Sequence, residues 1–213
     1  MNTATGEIDF LLNQGLNLIT QPSRYVAQVK QKSADTWNML VYNGLSWNRS
    51  DVVKINSPRE NLKITEIRDL TSNQKIPFDI NEQGEADFIA LGVPSLGYKT
   101  YEITTEAGRN ISTLKSDENK LEASNKMFQI KMRSDGNVES IKNFLTNREI
   151  VNNNGELPFN ELLRVEGPNA SKISYPFAPK FTVKRGEQMS QIWIERARSA
   201  YPLTVLTIYD NLD

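Results

Sequence analysis

The acidic residues of this sequence could supply hydrolytic chemistry, because two carboxylates flanking a glycosidic bond can act as acid and as nucleophile or base. Four of them lie in or beside segments predicted to be strands: Asp87, Glu161, Glu195 and Asp210. With 26 acidic residues in the chain, carboxylates exposed to water are the ordinary case. Spacing along the chain does not show whether any two of them lie at a working distance, so the sequence assigns no catalytic residue.

The chain contains no histidine and no cysteine. Catalysis by a Ser-His-Asp triad, by an imidazole or by a thiolate is therefore excluded. Zinc is also disfavoured, since its protein sites are built mainly from histidine nitrogen and cysteine sulfur. We expect no metal ligand and no cofactor in this chain.

Tryptophan side chains could stack on sugar rings through their flat apolar faces. Trp37 and Trp193 lie inside strand-like runs, which favours packing in the core. Trp47 lies in a turn and is the candidate for contact with a carbohydrate. The alternative for Trp47 is a structural position that covers the end of a sheet.

The charged residues nearly balance, since 25 Lys and Arg against 26 Asp and Glu give a net charge of −1. This balance offers no electrostatic surface for nucleic acid or an anionic membrane. No apolar run approaches the roughly 20 residues of a membrane-spanning helix, and the N-terminus lacks the features of a secretory signal peptide. We expect a soluble chain without a nucleic-acid or membrane partner, and its compartment stays open.

The segments that must position these residues are mostly short strands. Residues 6–20 are the exception, because apolar residues at helical spacing predict one short N-terminal helix. From residue 25 onwards, turn signals roughly a dozen residues apart are typical of an antiparallel β-sandwich. The predicted strands are Tyr25–Gln31, Trp37–Tyr42, Asp51–Asn56, Leu62–Arg68, Ala86–Leu91, Tyr98–Thr104, Met127–Arg133, Val138–Phe144, Phe159–Val165, Lys180–Arg185, Ser190–Ala197 and Leu203–Tyr209.

The connections between these strands carry their own signals. Ser134–Asn137 predicts a tight turn and therefore a hairpin over Met127–Phe144. Asn43 and Gly44 predict a turn that needs a positive φ at the end of a strand. Residues 106–120 are polar and form a predicted linker between two β modules.

Three segments carry a family resemblance. Residues 41–53, VYNGLSWNRSDVV, resemble the pattern V-x-N-P-L-S-W-x-R-x-x-x-V, with Gly44 in place of the common proline. Residues 93–101 are similar to V-P-x-L-G-Y-x-x-Y, and residues 121–141 resemble L-E-N-x-x-x-x-V-x-x-x-D-G-x-I-x-S-I with Ala-Ser inserted before Asn125. In this order the patterns resemble the C-terminal β region of glycoside hydrolase family 38, the α-mannosidases.

The resemblance implies an organisation for the whole chain. Residues 1–22 would end a helical bundle, and residues 23–105 would form a small β-sandwich domain. After the linker at 106–120, residues 121–213 would begin a mutarotase-like supersandwich that is incomplete. In that family the nucleophile aspartate, the acid/base and most zinc ligands belong to an N-terminal catalytic domain, which nothing here matches. No catalytic or metal-binding residue is carried over, and zinc is expected only in that catalytic domain.

The leading hypothesis is a non-catalytic β-sandwich portion of an α-mannosidase-like glycoside hydrolase, supporting the catalytic domain and the carbohydrate cleft. The parent protein would be the enzyme, whereas this segment alone is predicted to be inactive. One alternative is a stand-alone carbohydrate-binding module with Trp47 in its platform. Another is a structural interaction module that self-associates through the sheet edge near Leu203–Tyr209, because unprotected edges recruit other strands.

Overall fold

The chain is all-β wherever its structure is described. The computed structural model describes residues 36–57, 59, 61–118, 120–151, 158–161, 164–166, 171–173, 178–197, 201–210 and 212. Within these residues the chain forms strands and turns without a helix, and the paired strands are antiparallel. The mostly β, antiparallel fold class is therefore confirmed. The predicted N-terminal helix and the predicted strand Tyr25–Gln31 lie outside the described residues, and the mutarotase-like fold stays a prediction.

In chain order the strands are β1 (Thr36–Asn43), β2 (Arg49–Ile55), β3 (Leu62–Asp69), β4 (Gln74–Ile76), β5 (Phe78–Ile80), β6 (Ala86–Val93), β7 (Gly97–Ala107), β8 (Lys115–Glu118), β9 (Glu122–Ser124), β10 (Phe128–Met132), β11 (Val138–Asn143), β12 (Arg148–Glu149), β13 (Arg164–Glu166), β14 (Ser171–Ile173), β15 (Lys180–Arg185), β16 (Met189–Glu195) and β17 (Leu203–Tyr209).

Most strands with an apolar alternation were predicted, and β15 and β17 match the sequence prediction residue for residue. Short strands were missed, among them β8, which lies inside the predicted linker and pairs with β15. Its sequence, KSDE, has no apolar residue, so no alternation marks it. In the predicted strand Phe159–Val165, Phe159 makes only an isolated bridge to Val138, and β13 begins at Arg164.

The chain divides into two compact units. Unit 1 comprises Met1–Pro77 and Ala90–Asn110, and unit 2 comprises Phe78–Ile89 and Ile111–Asp213. Strand β6 therefore begins in unit 2, where it pairs with β5, and ends in unit 1. The domain boundaries that the resemblance implies stay a prediction.

Unit 1 is built on a four-stranded sheet with the order β1-β7-β3-β4. Strand β1 pairs with β7 along its whole length, from Thr36 opposite Thr104 to Asn43 opposite Gly97. In β7 alternating residues face the core, because successive side chains of a strand point to opposite sides, whereas β3 has a register shift after Ile64. The buried apolar residues of these two strands are Ile64, Ile67, Tyr101 and Ile103.

Unit 2 contains two four-stranded sheets, with the orders β12-β11-β10-β9 and β17-β16-β15-β8. Both sheets contribute to one apolar cluster, so they pack face to face. A pair β13-β14 forms a further small sheet. The buried members of the cluster are Ala123, Ile130, Met132, Val138, Val151, Phe181, Val183, Ile192 and Ile194.

One predicted turn is confirmed and another is wrong in its detail. Strands β10 and β11 form the predicted antiparallel hairpin, and Gly136 in its turn has a φ of +93°. Gly44, by contrast, is not among the described glycines with positive φ. The turn after β1 is held by a side chain instead, and it needs no left-handed residue at Gly44.

Candidate functional site

The loop that carries Trp47 connects β1 to β2 and is held by Asn43, which is buried. The side-chain amide nitrogen of Asn43 donates to the carbonyl oxygen of Trp47 at 2.7 Å. It also donates to the carbonyl oxygens of Val93 and Pro94, both at 3.1 Å. The side-chain oxygen accepts the backbone N–H of Leu45 at 3.0 Å. One side chain thus satisfies backbone groups of this loop and of the end of β6, which fixes the loop.

Trp47 extends from this loop into solvent, with 60% of its surface exposed. A second loop is hydrogen-bonded to the same one, because the N–H of Leu96 donates to the carbonyl oxygen of Leu45 at 2.9 Å. The N–H of Ser95 also donates to the side-chain oxygen of Asn48 at 3.1 Å. Leu96 is 66% exposed. Trp47 and Leu96 are therefore two exposed apolar side chains on a pair of connected loops.

A groove of about 410 Å³ in unit 1 lies between the end of β1, residues 44–45, β2 and the end of β6. Tyr42 lines it with 41% of its surface exposed. Arg49 and Asp51 line it as an ion pair at 2.5 Å, in which both side chains are about half exposed. Trp47 is not among the lining residues, so the predicted contact residue and this groove are separate features.

The four candidate carboxylates lie in different surroundings. Asp87 is buried and accepts a hydrogen bond from Asn81 at 3.1 Å. Burial, together with the charge of Asp87, raises the pKa of Tyr209 to about 12. Glu195 lines a groove in unit 2, but no second carboxylate lines that groove among the described residues. Glu161 and Asp210 are half-buried and do not line it.

Trp193 does not lie in the core, so that prediction is wrong. The neighbouring residues Ile192 and Ile194 are fully buried, and Trp193 therefore points to the opposite, outer face of its sheet. It is half-buried there, and its indole N–H donates to the side-chain oxygen of Gln191 at 2.9 Å. Period-two alternation within β16 could have indicated this orientation from the sequence. Trp37 is half-buried on β1.

One buried carboxylate of unit 2, Asp79, was missed by the sequence reasoning. It is buried on β5 and accepts the backbone N–H groups of three consecutive residues, two in the turn between β15 and β16 and the third at the start of β16. These are Glu187 at 2.7 Å, Gln188 at 2.7 Å and Met189 at 3.1 Å. Successive backbone N–H groups of this kind form an anion-binding concavity, and here a side chain of the same unit occupies it.

Unit 1 has its own buried carboxylate, Asp69. Its oxygens accept the ammonium of Lys99 at 3.0 Å and the backbone N–H of Thr71 at 2.7 Å. Burial by itself would raise the pKa of Asp69, but the hydrogen bonds from Lys99 and the turn hold that pKa below its ordinary value. Asp69 and Lys99 therefore form a structural ion pair, in which the carboxylate of Asp69 is charged at neutral pH.

Among the described residues, no group of three or more His, Cys, Asp or Glu side chains is placed to hold a metal ion. Within the same residues, no helix has the length and apolar character needed to cross a membrane.

The paired antiparallel sheets place this chain among the all-β proteins. A comparison with known proteins gives more specific information. No family model matches the chain. A stretch of 109 residues is 35% identical to the lysosomal α-mannosidase of Dictyostelium discoideum, which corresponds to 49% of this chain and 10% of that protein. The chain thus spans about a tenth of the length of this curated relative. The similarity supports a relationship to glycoside hydrolases at the level of the family.

Proposed function

We propose that this chain is a non-catalytic β portion of an α-mannosidase-like glycoside hydrolase and that it supports the catalytic domain and carbohydrate cleft of that enzyme. The observation that carries the proposal is the identity of 35% over 109 residues to an α-mannosidase. The fold agrees with a supporting role, because its buried carboxylates Asp69 and Asp79 are engaged in structural hydrogen bonds. Zinc and the reacting carboxylates belong, in this proposal, to the catalytic domain.

The pure chain should not hydrolyse an aryl α-mannoside. Each of the two grooves described above is lined by one carboxylate among the described residues, Asp51 or Glu195, so neither groove holds an acid and a nucleophile together. The measurement is the release of nitrophenol from para-nitrophenyl α-D-mannopyranoside with and without added zinc. An active α-mannosidase serves as the positive control. Turnover that rises in proportion to the concentration of the pure chain would contradict the proposal.

The genomic reading frame around this segment provides a second test of the proposal, because it shows whether a catalytic domain adjoins this chain. We expect an adjoining sequence that encodes a catalytic domain containing histidine and aspartate ligands for zinc. A frame that encodes only this chain, together with saccharide binding lost in Trp47→Ala, would favour the stand-alone carbohydrate-binding module instead. The exposure of Trp47 is the observation that keeps this second candidate in consideration.

The third candidate is a structural interaction module. Its partner would be a second copy of this chain, which would pair through β17. Among the described strands, β17 is at the edge of its sheet, and its seven residues, LTVLTIY, carry no charge. Edges without charge or proline are open to pairing with another strand. Light scattering should then show a dimer that becomes monomeric in Val205→Lys, which places a charge on this edge. A monomer at all concentrations would exclude this role.

A further inference from the structure

Trp193 lies on the outer face of its sheet in unit 2, and one face of its indole ring is already covered. The ammonium of Lys184 lies 3.6 Å from the centroid of the indole ring. Lys184 is fixed in this position because it also forms an ion pair with Glu82 at 2.9 Å. The indole N–H is used as well, by Gln191. The remaining ring face is the part of Trp193 that is open to a ligand.

Strand register shows where that open face points. In the pairing of β15 with β16, Lys184 is opposite Gln191, Thr182 is opposite Trp193, and Lys180 is opposite Glu195. Lys184 and the pair of Lys180 with Glu195 therefore lie on opposite sides of the tryptophan. A groove of about 530 Å³ occupies the Lys180 side, and its lining includes Trp193, Lys180, Glu195 and Leu203. This volume is within the range of sites for small ligands.

The acid and the base that line this groove are available to a ligand. Lys180 and Glu195 are exposed cross-strand partners, and within the described residues neither side chain forms a hydrogen bond or an ion pair. A carboxylate only accepts hydrogen bonds, and an ammonium only donates them. Side by side, the two groups match a ligand whose neighbouring groups both donate and accept, which is the property of vicinal hydroxyls.

A third polar residue, Arg196, lines the groove and is only 6% exposed. It donates to the hydroxyl of Thr204 at 2.9 Å and to the carbonyl oxygen of Gly136 at 3.1 Å. A guanidinium has roughly five N–H donors, and these two bonds use two of them. Arg196 forms no ion pair within the described part of the chain.

We propose that this groove binds one pyranose unit of a saccharide, with the C–H face of the sugar on Trp193 and its hydroxyls between Glu195 and Lys180. A purely apolar ligand would leave both charged groups without partners, which costs binding free energy. A simple anion would be attracted by Lys180 but repelled by Glu195. The choice of a saccharide among hydroxyl-bearing ligands rests on the proposed function, whereas the position of the site rests on this geometry.

The test is a nuclear magnetic resonance titration of the indole N–H signals with methyl α-D-mannopyranoside. We expect a saturable shift of the Trp193 signal with a dissociation constant in the millimolar range. Glu195→Gln keeps the shape of the exposed side chain and should weaken binding about tenfold, since one charge-assisted hydrogen bond is lost. Trp193→Phe keeps an aromatic wall and should weaken binding less than Trp193→Ala.

Leu145→Ala is the control, because Leu145 is an exposed apolar residue of the same unit that does not line the groove, and its loss should leave the titration of Trp193 unchanged. No saturable shift of Trp193 in the folded wild-type chain would overturn the proposal. So would unchanged binding in Glu195→Gln, or inorganic phosphate binding more tightly than the sugar. A failed titration removes only this site, since the proposed function is judged separately by mannoside hydrolysis and by the reading frame.

Discussion

Replacing Asp79 with alanine is expected to lower the free energy of unfolding of unit 2 by about 3 kcal/mol, because three backbone N–H groups lose their common acceptor. The N–H groups of Gln188 and Met189 are bonded to the same buried oxygen, and water cannot simply replace a carboxylate there. Urea unfolding followed by fluorescence measures the change. Asp51→Ala is the control, since the side chain of Asp51 is 52% exposed, and it should cost well under about 1 kcal/mol.

Gly186 provides an independent check on the same contact. A Cβ atom at Gly186 would overlap the carboxylate atoms of Asp79. Gly186→Ala should therefore destabilise the wild-type protein by about 2 kcal/mol or more, because either the turn or the carboxylate must shift. Gly44→Ala is the matched control, since its Cβ would meet only Tyr42, at an ordinary 3.5 Å.

The double variant distinguishes this explanation from a general intolerance of the turn. With Asp79 already replaced by alanine, the space beside Gly186 is open, and Gly186→Ala should cost much less than it does in the wild-type protein. A coupling of this kind is expected only between residues in direct contact. Additive effects of the two substitutions would show that the carboxylate is not what occupies the space.

The second large effect is expected at Lys99. Lys99→Met keeps the aliphatic part of the side chain but leaves the buried carboxylate of Asp69 without its cation, and should cost about 2 kcal/mol of stability in unit 1. The control is Lys63→Met, because Lys63 and Glu106 form an exposed ion pair at 2.7 Å that should contribute well under about 1 kcal/mol. Equal losses in the two variants would contradict a special role for the buried pair.

The same pair predicts a pH dependence with a definite sign. The pKa of Asp69 is lower in the folded protein than its ordinary value of 3.8. Its contribution is therefore fully present above the pKa of the unfolded chain and is lost as the pH falls through the folded pKa. The difference in unfolding free energy between wild type and Asp69→Asn should be largest at neutral pH and should shrink in acid. A difference that grows on acidification would reverse the assignment.

Sequence reasoning succeeded where one face of a strand is buried. In β7, Tyr101 and Ile103 are almost fully buried while Glu102 between them is not, and the alternation in the sequence reflects this. It failed for β8, whose residues are all polar, and for the orientation of Trp193. An aromatic residue fits both the core and an outer sheet face, so residue type alone does not decide between them.

The candidate sites also divide into features that the sequence predicted and features that it did not. Trp47 was predicted to lie in a turn, and the structure places it in an exposed loop. The groove at Trp193 was not predicted, because its members come from positions 178–180, 193–197 and 202–203, which strand pairing brings together. A cross-strand pair such as Lys180 with Glu195 leaves no trace in local spacing, since register depends on the whole hairpin.

By itself, the sequence determined the all-β class, most of the strands, the hairpin of β10 and β11, and the absence of histidine and cysteine chemistry. These properties follow from local alternation, turn residues and composition. Only the tertiary structure decided which carboxylates are structural, that Asp79 belongs to the turn at Glu187–Met189, and which face of Trp193 is open. The reason is physical: burial and hydrogen-bond partners are set by residues more than a hundred positions apart, such as Asp79 and Gln188, and those distances are fixed only by the packed fold.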